Sequence, residues 1–436
     1  MKPVKIGLLG IGTVGGGTFR VLERNREEIT RRAGRRIEIA WVAARNLEHA
    51  RAVVGRDVPV TDDVMRVAHD PEIDIVVEVI GGTGVARDAM LAAIESGKHI
   101  VTANKALLAT HGNEIFAAAG KRNVIVAFEG AVAVCIPIIK ALREGLTANR
   151  IEWIAGIVNG TSNFILSEMR AKGLPFDEVL EEAQRLGYAE ADPTFDIEGV
   201  DAAHKITLLS AIGFGIPVQF ERAYVEGISA LGDRDITYAE ELGYRIKLLG
   251  ITRRTPGGIE LRVHPTLVPA NRLIASVEGA MNAILVKGDA AGVTMYYGAG
   301  AGSEPTASAV IADVIDVTRL MAAEPEERVP HLAFQPEALS DVPILPMPAV
   351  QTSYYLRLRV RDEVGVLADV ARVLADAEIS IDAMLQKGPA GGDGETDIVI
   401  LTHRTLERNF ERAIEGLLKL PTVRRNYSRI RREDLG

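Results

Sequence analysis

The chain contains 436 residues, of which 47% are hydrophobic, 25% charged and 5% aromatic, and its formal net charge is −9 at pH 7. This length predicts two or three domains with substantial cores, the composition excludes disordered and collagen-like proteins, and the acidic balance argues against a nucleic-acid partner. No apolar run reaches the ~18 residues of a membrane span, and the single cysteine, Cys135, excludes an intrachain disulfide, so we expect no membrane partner and a cytoplasmic location.

A glycine motif follows the first predicted strand. The short apolar run Val4–Leu9 leads into the sequence GIGTVG and then into a helical pattern that ends near Asn25. In such motifs the first glycine makes a tight turn, the second lets a pyrophosphate approach the backbone, and the third lets the helix pack closely on the strand. The helix N-terminus adds N–H groups for the phosphates. The residues expected to bind a dinucleotide are Gly10, Gly12, Thr13, Val14 and Gly15.

The second predicted strand bears on the choice of dinucleotide. It spans Ile37–Ala44, and Arg45 follows at the point where an NAD-selective site carries an acidic residue for the ribose hydroxyls. Arginine suits a 2′-phosphate, so NADP is the predicted cofactor and NAD remains possible. The alternative is that Arg45 is an ordinary surface residue.

Two later strands end in residues that are predicted to face the same crevice. The strand Ile73–Ile80 is followed by Gly81-Gly82-Thr83, and the strand Lys98–Thr102 by Ala103-Asn104-Lys105. Parallel α/β sheets hold ligands at the carboxyl ends of their strands, so Thr83 and Lys105 are candidates for the ligand crevice. The glycine pair alternatively forms a plain turn.

A segment with one carboxylate follows the strand Val124–Phe128. It runs from Glu129 to Pro137 and is otherwise small and apolar. Its carbonyl oxygens, together with the carboxylate, could hold a hard monovalent cation, although a tight strand-to-helix connection explains the pattern equally well. Cys135 has apolar neighbours and no local group to form a thiolate, so we do not expect it to be a nucleophile.

A polar cluster follows the strand Ile151–Val158. Asn159-Gly160-Thr161-Ser162-Asn163 precedes a helix predicted over Phe164–Lys172, and its free N–H groups and hydroxyls could bind the carboxylate of a small substrate or could simply cap the helix. Further strands indicate one sheet with helices on one face, an α+β domain. They are predicted at Val225–Gly227, Arg245–Thr252, Ile259–Pro265 and Ala283–Gly288.

The segment from Gly187 to Lys205 concentrates ionisable groups. Pro193 and Gly199 indicate a loop that carries Glu190, Asp192 and Asp196, and a helix begins near Val200. Asp201 and Lys205 share one face of that helix, which is too apolar afterwards to be a surface element. A lysine at the mouth of a buried region can relay protons; the alternative is a solvated ion pair four residues apart.

A second glycine-rich loop, Gly298–Thr306, precedes a helix predicted over Ala307–Met321. It could return to the cofactor through Gly302, which would make the first domain discontinuous, or it could be only a flexible loop. The following stretch, Ala322–Val350, contains six prolines and no periodic apolar pattern, so a linker is predicted.

The remaining residues have the order strand, helix, strand, strand, helix, strand. This βαββαβ pattern predicts a ferredoxin-like unit of a kind that folds alone and often serves regulation, so catalysis is not expected to need it. Its predicted elements are Tyr354–Val360, Val366–Ala377, Ile379–Leu385, Thr396–Thr402, Leu406–Lys419 and a strand near Tyr427.

With these motifs together, the chain resembles homoserine dehydrogenases that carry a C-terminal ACT domain, and the resemblance covers essentially its whole length. The motifs that carry it are GIGTVG, TANK at 102–105, the turn from Glu129 to Ile138, NGTSNFIL at 159–166, YAEADPTFDIEGVDAAHK at 188–205 and GAGAGSEPTASAV at 298–310. The family reduces aspartate semialdehyde to homoserine with NAD(P)H, so the resemblance implies the same reaction here.

The resemblance also implies roles for individual residues. Lys205 is the acid/base, assisted by Lys105 and Asp201, and the substrate is held by Glu190, Asp196, Asp201, Lys105, Gly160 and Thr161. A sodium ion is implied at the Glu129 carboxylate and the carbonyls of Val132, Val134 and Ile136. The family usually has two glycines where this chain has Val134 and Cys135.

The same resemblance implies regulation and assembly. ACT domains bind amino acids at the turn equivalent to Asp362–Gly365, where two modules pair, which makes threonine the first candidate effector. A homodimer or homotetramer is expected.

The predicted fold class is α/β, with a Rossmann-type dinucleotide-binding domain, an α+β substrate and dimerisation domain and a ferredoxin-like ACT domain. The predicted ranges are 1–135 with 300–325, then 136–299, a linker at 326–351, and 352–436. Two other functions stay open: a semialdehyde dehydrogenase, which needs a reactive cysteine, and a non-catalytic amino-acid sensor that keeps the cofactor fold.

Overall fold

The computed structural model describes residues 2–387 and 394–436. Helices and strands alternate through the first half of the chain. They are β1 (Val4–Leu9), α1 (Thr13–Arg24), α2 (Arg26–Ala33), β2 (Ile37–Ala43), α3 (Leu47–Val54), β3 (Val60–Thr61), α4 (Val64–His69), β4 (Ile75–Glu78), α5 (Val85–Glu95), β5 (His99–Thr102), α6 (Lys105–Arg122), β6 (Val126–Ala127), α7 (Ile138–Lys140, continued by a π-helical turn over Ala141–Gly145), β7 (Ile151–Ile157), α8 (Gly160–Lys172), α9 (Phe176–Arg185), α10 (Thr194–Ile197) and α11 (Val200–Phe214).

Strands dominate the second half. The elements are β8 (Tyr224–Val225), α12 (Asp233–Glu241), β9 (Tyr244–Thr255), β10 (Gly258–Pro269), β11 (Met281–Gly288), β12 (Gly292–Ala299), α13 (Ser303–Leu320), β13 (Gln351–Arg361), α14 (Val366–Asp376), β14 (Ile381–Gln386), β15 (Glu395–Thr402), β16 (Thr405–Leu406), α15 (Glu407–Leu417) and β17 (Val423–Arg432). None of the helices within the described ranges combines the length and apolarity of a membrane span.

The chain divides into two compact units, each built from three segments. Unit 1 comprises Met1–Ile154, His204–Glu221 and Asn282–Val342, and unit 2 comprises Ala155–Ala203, Arg222–Met281 and Pro343–Gly436. The division differs from the predicted domain ranges, because part of the 136–299 range falls in unit 1 and the predicted ACT range falls in unit 2 with the rest. Helix α11 runs through one of the boundaries.

Unit 1 contains a six-stranded sheet in the order β3-β2-β1-β4-β5-β6, with every pair of neighbours parallel. This is the strand order of the dinucleotide-binding α/β fold, and its carboxyl edge is where such folds bind ligands. The strands are apolar on both faces because helices cover both, as parallel sheets require. Helix α13 packs against α1 and contributes Val310 and Val314 to the same core as β1 and β4.

Unit 2 contains strands in the order β9-β10-β17-β13-β15-β14 within one sheet. Strands β9 and β10 form a long antiparallel hairpin, and β17 pairs with β10 in parallel through Thr266↔Arg431 and Leu267↔Arg432. On its other side β17 pairs with β13. The predicted βαββαβ order is present in β13–β17 with α14 and α15. Its sheet, however, continues directly into the hairpin instead of standing alone.

Buried ion pairs join the βαββαβ elements and the residues that follow them to the rest of unit 2. Arg262 of β10 is fully buried and contacts both Glu260 (2.8 Å) and Glu433 (2.5 Å). Arg357 of β13 contacts Asp235 of α12 at 2.6 Å. A module that folded alone would not need charged partners from another part of the chain, because a buried charge without a partner is strongly unfavourable.

Two further expectations need correction. The proline-rich stretch is not a free tether, because Ile259 donates to Pro343 O (2.9 Å), Leu345 donates to Ile259 O (2.8 Å), and Ser340 donates to Gly215 O (2.8 Å). Asp196 does not lie in a loop but in the one-turn helix α10.

Helices α8 and α13 both begin earlier than predicted. Each starts with polar or small residues that a periodic apolar pattern does not register, and Pro305 is tolerated in the first turn of α13 because the N–H groups there lack helical acceptors. Strand β12, which leads into the second glycine loop, was not predicted at all.

Candidate active site

The first glycine motif has the geometry of a dinucleotide loop. Gly10 has a φ of 99°, which only glycine adopts without strain, and a Cβ on Gly15 would lie 2.1 Å from Gly10 O. A Cβ on Gly12 would meet no atom within 4 Å, so space remains above the loop. Helix α1 begins at Thr13, and the N–H groups of its first turn have no helical acceptors. These residues fit the pyrophosphate of a dinucleotide.

Arg45 lies just beyond β2, at the same edge of the sheet as the glycine motif. Gly10 donates its N–H to Ala43 O at 2.9 Å, which ties the motif to the end of this strand. The Arg45 side chain is exposed. No carboxylate pairs with it within the described part of the chain, and it is accessible to a phosphate group.

A buried carboxylate organises the next two loops of unit 1. Glu78 ends β4, and its carboxylate accepts hydrogen bonds from the N–H groups of Ile80 (2.9 Å) and Gly81 (3.2 Å) and from the Thr102 hydroxyl (2.7 Å). Asn104 donates to Gly82 O (2.7 Å) and caps α6 by accepting from Leu107 N (3.1 Å). The network fixes the exposed turn that carries Thr83.

Lys105 is held by the same network. It is the first residue of α6, directly after the Asn104 cap, and its side chain is partly buried. The structure therefore links the loop of Thr83 and the helix start of Lys105 through Glu78 and Asn104.

The second glycine loop lies against the start of α1. The Ser303 hydroxyl donates to Thr13 O at 2.6 Å, and a Cβ on Gly17 would collide with Ser303. Arg24 makes a bidentate contact with Glu304 at 2.8 and 2.9 Å. Gly302, which caps α13, is thereby brought next to the dinucleotide motif.

The Glu129 segment combines a buried carboxylate with an unusual backbone. The two carboxylate oxygens of Glu129 accept from the N–H groups of Ile139 and Lys140 at 2.9 Å each, and burial raises the pKa of Glu129 to about 7. Asp313 accepts from Glu129 N at 2.7 Å, and burial together with the Glu129 charge raises its pKa to about 8. Lys140 pairs with Asp316 and lies 3.9 Å from Asp313.

The same segment contains the donor types that a hard cation takes. Ala133 and Val134 both have a φ of 53°, so Val134, one of the two departures from the family pattern, occupies a left-handed conformation that glycine would adopt without strain. A carboxylate and backbone carbonyls are the donors that such ions take. No cluster of three or more His, Cys, Asp or Glu residues suited to a metal occurs in residues 2–387 or 394–436.

Unit 2 contributes a hydrogen-bonded cluster of two carboxylates. Asn159 caps α8 by accepting from Ser162 N (2.8 Å), and its amide group donates to both Asp196 (2.8 Å) and Asp201 (2.9 Å). The Thr161 hydroxyl contacts Asp196 at 3.0 Å. Asp196 is in position because Asp192 accepts from Thr194 N (3.1 Å) and Pro193 starts the short helix.

The other predicted residues of this region have separate positions. A Cβ on Gly160 would lie 2.7 Å from Ala280 O, so Gly160 permits a close backbone approach. Glu190 is exposed, and the hydrogen bond it receives from Gln184 goes to its backbone carbonyl, so the structure does not bring its carboxylate into the Asn159 cluster. Asp201 is 3% and Lys205 6% exposed, one turn apart on α11.

Comparison with known proteins identifies the family. Family models match residues 10–129 (homoserine dehydrogenase, NAD binding domain), 137–315 (homoserine dehydrogenase) and 354–421 (ACT domain). Homoserine dehydrogenases from Pseudomonas aeruginosa and Neisseria gonorrhoeae are 60% and 59% identical over 435 residues, covering 100% of both chains in each case. The chain belongs to the homoserine dehydrogenase family. It is therefore an oxidoreductase, and a non-catalytic sensor is not favoured.

Solved structures of homoserine dehydrogenases agree with this assignment. The crystal structure of the enzyme from Thiobacillus denitrificans is 67% identical, has a TM-score of 0.96 and covers 100% of this chain and 99% of its own. A hyperthermophilic archaeal homoserine dehydrogenase in complex with NADPH is 26% identical, with a TM-score of 0.62, and covers 73% of this chain and 98% of its own. The NAD-binding model establishes a nicotinamide cofactor for this family member.

Sequence reasoning missed the role of two buried residues next to the predicted site residues. Glu78 and Asn104 are buried, and their hydrogen bonds fix the turn that carries Thr83 and the start of α6. A buried acid at the end of an apolar strand and an asparagine directly before a helix are the signals that could have identified them.

Proposed function

We propose that this enzyme catalyses the reversible, NAD(P)H-dependent reduction of L-aspartate 4-semialdehyde to L-homoserine, a step of threonine and methionine biosynthesis, with Lys205 as the acid/base. The observation that carries the proposal is helix α11. One buried helix bears Asp201 and, one turn later, Lys205, and Asp201 accepts from the same asparagine that holds Asp196. The cytoplasm remains the expected location on the strength of the single cysteine.

The reduction requires one proton to be delivered to the aldehyde oxygen of the substrate. A bound nicotinamide cofactor supplies the hydride, and the aldehyde oxygen becomes an alkoxide that must be stabilised and protonated. The Lys205 ammonium group can do both, and the neutral amine takes the proton back in the reverse direction. Burial supports this role because an ammonium shielded from water interacts more strongly with developing negative charge.

Carboxylates and helix N–H groups would orient the substrate. Its ammonium group suits Asp196 and Asp201, and the family resemblance adds Glu190; its carboxylate suits the start of α8 at Gly160 and Thr161, to which the resemblance adds Lys105. Support comes from Asn159, whose amide holds two carboxylates in one place and whose carbonyl caps that helix.

NADP is the proposed cofactor, and sodium the proposed ion. The support for NADP is the exposed Arg45 beyond β2 together with the absence of an acidic residue at the end of that strand. The Glu129 carboxylate and the carbonyls of Val132, Val134 and Ile136 would hold sodium, whose charge would offset the buried carboxylates of Glu129 and Asp313.

Threonine is the proposed effector, acting at the turn before α14 in a homodimer or homotetramer. Gly365 has a φ of 97°, and Val364 in the same turn is fully exposed, so an apolar side chain is presented to a ligand or a second module. Threonine titration of NADPH-dependent activity should inhibit the native enzyme and have a weaker effect on Val364→Asp. Unchanged native activity at millimolar threonine would remove threonine as the effector.

The test of the catalytic assignment is Lys205→Ala. We expect kcat to fall by ~10²- to 10⁴-fold, the usual contribution of a general acid, while NADPH affinity measured by fluorescence stays the same. Lys121→Ala, at an exposed position of α6, is the matched control and should behave like the native enzyme. Near-native turnover by Lys205→Ala would overturn the assignment, and a native chain that does not consume NADPH with the semialdehyde would overturn the function.

A further inference from the structure

One fully buried side chain in unit 1 has no hydrogen-bond partner. Asn282, the second residue of β11, is 0% exposed, and neither its carbonyl oxygen nor its amide nitrogen finds a partner among the described residues. Buried carboxamides are almost always hydrogen-bonded, because an unpaired polar group away from water destabilises the folded state.

The carboxamide of Asn282 is directed at the second glycine loop. A Cβ on Gly300 would lie 2.3–2.5 Å from the Asn282 side-chain oxygen, carbon and nitrogen. The Gly300 backbone therefore packs directly against the carboxamide, but it does not form a hydrogen bond with it. The loop is anchored on both sides of this point. Cys135 Sγ contacts Ala299 O at 3.1 Å, and the Ser303 hydroxyl donates to Thr13 O at 2.6 Å.

The glycine content of the loop allows its backbone to change conformation. Gly298, Gly300 and Gly302 alternate with alanine, and a glycine can pass between negative and positive φ with little penalty, which allows a peptide group to turn over. A turned peptide next to Gly300 would present an N–H or a C=O to Asn282, which has one acceptor and two donors available. The loop ends at α13, against the start of α1 where a dinucleotide pyrophosphate would bind.

We propose that Asn282 is a positioning residue for cofactor binding: its carboxamide receives the backbone of the Gly298–Gly302 loop when a nicotinamide cofactor binds, and it has no partner until then. A ligand shifts an equilibrium between two loop conformations only by binding one of them better. The new hydrogen bonds to Asn282 belong to the cofactor-bound conformation and therefore add to cofactor affinity. The inference rests on the nicotinamide site of the proposed function, but not on the identity of the substrate.

The experiment compares Asn282→Leu with the native full-length enzyme in the absence of substrate. Leucine has nearly the same size and no polar atoms, so the cofactor-free variant should have a melting temperature equal to or higher than that of the native enzyme. Its dissociation constant for NADPH, measured by fluorescence, should rise about tenfold, which corresponds to about 1.4 kcal/mol. Asn282→Asp, which keeps the shape and the acceptor but loses the donors, serves as the second variant if leucine impairs folding.

Asn163 provides the matched control in unit 2. It is also buried, but its amide donates to the carbonyls of Val277, Gly279 and Met281. Asn163→Leu should lower the melting temperature and leave NADPH affinity unchanged, the opposite pattern. If Asn282→Leu lowers the melting temperature and keeps native NADPH affinity, Asn282 is an ordinary structural residue, satisfied by buried water, and the proposal is wrong. This result would leave turnover of the semialdehyde, and thus the proposed function, intact.

Discussion

Arg45 is the charged side chain that follows β2, and its neighbours explain why it can act on a ligand. The strand ends at Ala43, whose carbonyl is held by Gly10 N, so the chain direction at this point is fixed relative to the glycine motif. The side chain itself is exposed and is not drawn into an ion pair with any carboxylate of the described ranges. A guanidinium in this state can make charge-assisted hydrogen bonds to a phosphate without first breaking others.

We therefore predict that Arg45→Ala raises the KM for NADPH about 10- to 100-fold, the effect of losing hydrogen bonds to a charged group, and changes the KM for NADH little. Initial rates with each cofactor measure the difference. Arg51→Ala, at an exposed position on the neighbouring α3, is the control and should alter neither value. Equal losses with both cofactors would mean that Arg45 does not meet the 2′-phosphate.

The candidate site could be predicted from sequence only where neighbouring residues define it. The glycine motif, Lys105 and the pair Asp201 and Lys205 follow from short spacings, because a turn or a helix fixes their geometry. Asn159 and Asp196 are 37 positions apart, and Glu78 and Thr102 are 24 apart. Those contacts depend on how strands and loops meet, which a local pattern does not contain.

At the scale of elements, the two-residue edge strand β6 of unit 1 and the residue before it are held by two histidines. His99 Nδ1 accepts from Ile125 N at 3.0 Å, and His331 Nε2 accepts from Val126 N at 3.1 Å. Both rings must be neutral at these nitrogens to accept. Burial, followed by the charges of Arg328 and Arg143 respectively, lowers the pKa of each histidine to about 4.

Because of these two histidines, we predict that the folding stability of unit 1 decreases in acid. Between pH 6.5 and 4 the unfolded chain binds more protons than the folded one, so stability falls as the pH falls through this window, by about 3 kcal/mol for each histidine. His331→Gln, which keeps an acceptor but does not titrate there, should reduce the loss measured by urea unfolding at pH 7 and pH 4.5. His49→Gln, at an exposed position, should leave it unchanged, and an undiminished pH dependence in His331→Gln would contradict the prediction.

The positions of most helices and strands could be predicted, but the ends could not. Strand β6 was expected over Val124–Phe128 and is only Val126–Ala127, the two residues that are in register with Ile100 and Val101 of β5, although the flanking residues are buried as well. Helix α8 starts four residues before the predicted Phe164, since Asn159 caps it. A periodic apolar pattern indicates which side chains are buried, but it does not indicate which backbone groups are hydrogen-bonded.

At the scale of the whole molecule, the ACT region is part of unit 2. Glu433 follows β17 and contacts Arg262 and Arg253 at 2.5 and 2.7 Å, and although burial acts against it, these two charges lower the pKa of Glu433 to about 2. The archaeal relative covers only 73% of this chain, so a shorter chain can fold in this family. In this chain, however, Arg262 and Asp235 depend on partners supplied by the ACT region.

We therefore predict that Glu433→Ala lowers the free energy of unfolding by about 3–5 kcal/mol, the effect of removing one partner from a buried ion pair. A chain ended after Val350 should lose more, because β10 becomes an open edge. Urea unfolding measures both.

Asp434 supplies the control for Glu433. It pairs with Arg272 at the surface, so Asp434→Ala should change stability by at most about 1 kcal/mol. Native stability of the truncated chain would show that the ACT region is dispensable after all.

The junction of β10 and β17 also limits how fast unit 2 can fold. Arg262 lies in β10 and Glu433 directly follows β17; the two residues are 171 positions apart, and the two strands are neighbours in the middle of the sheet. Contacts of such separation form slowly, because a long loop must close before any of them is made. Before β17 has paired, β10 is an unpaired edge of the β9–β10 hairpin, and folding intermediates with unpaired strand edges aggregate at micromolar concentrations. Refolding yield should therefore fall steeply as the protein concentration rises.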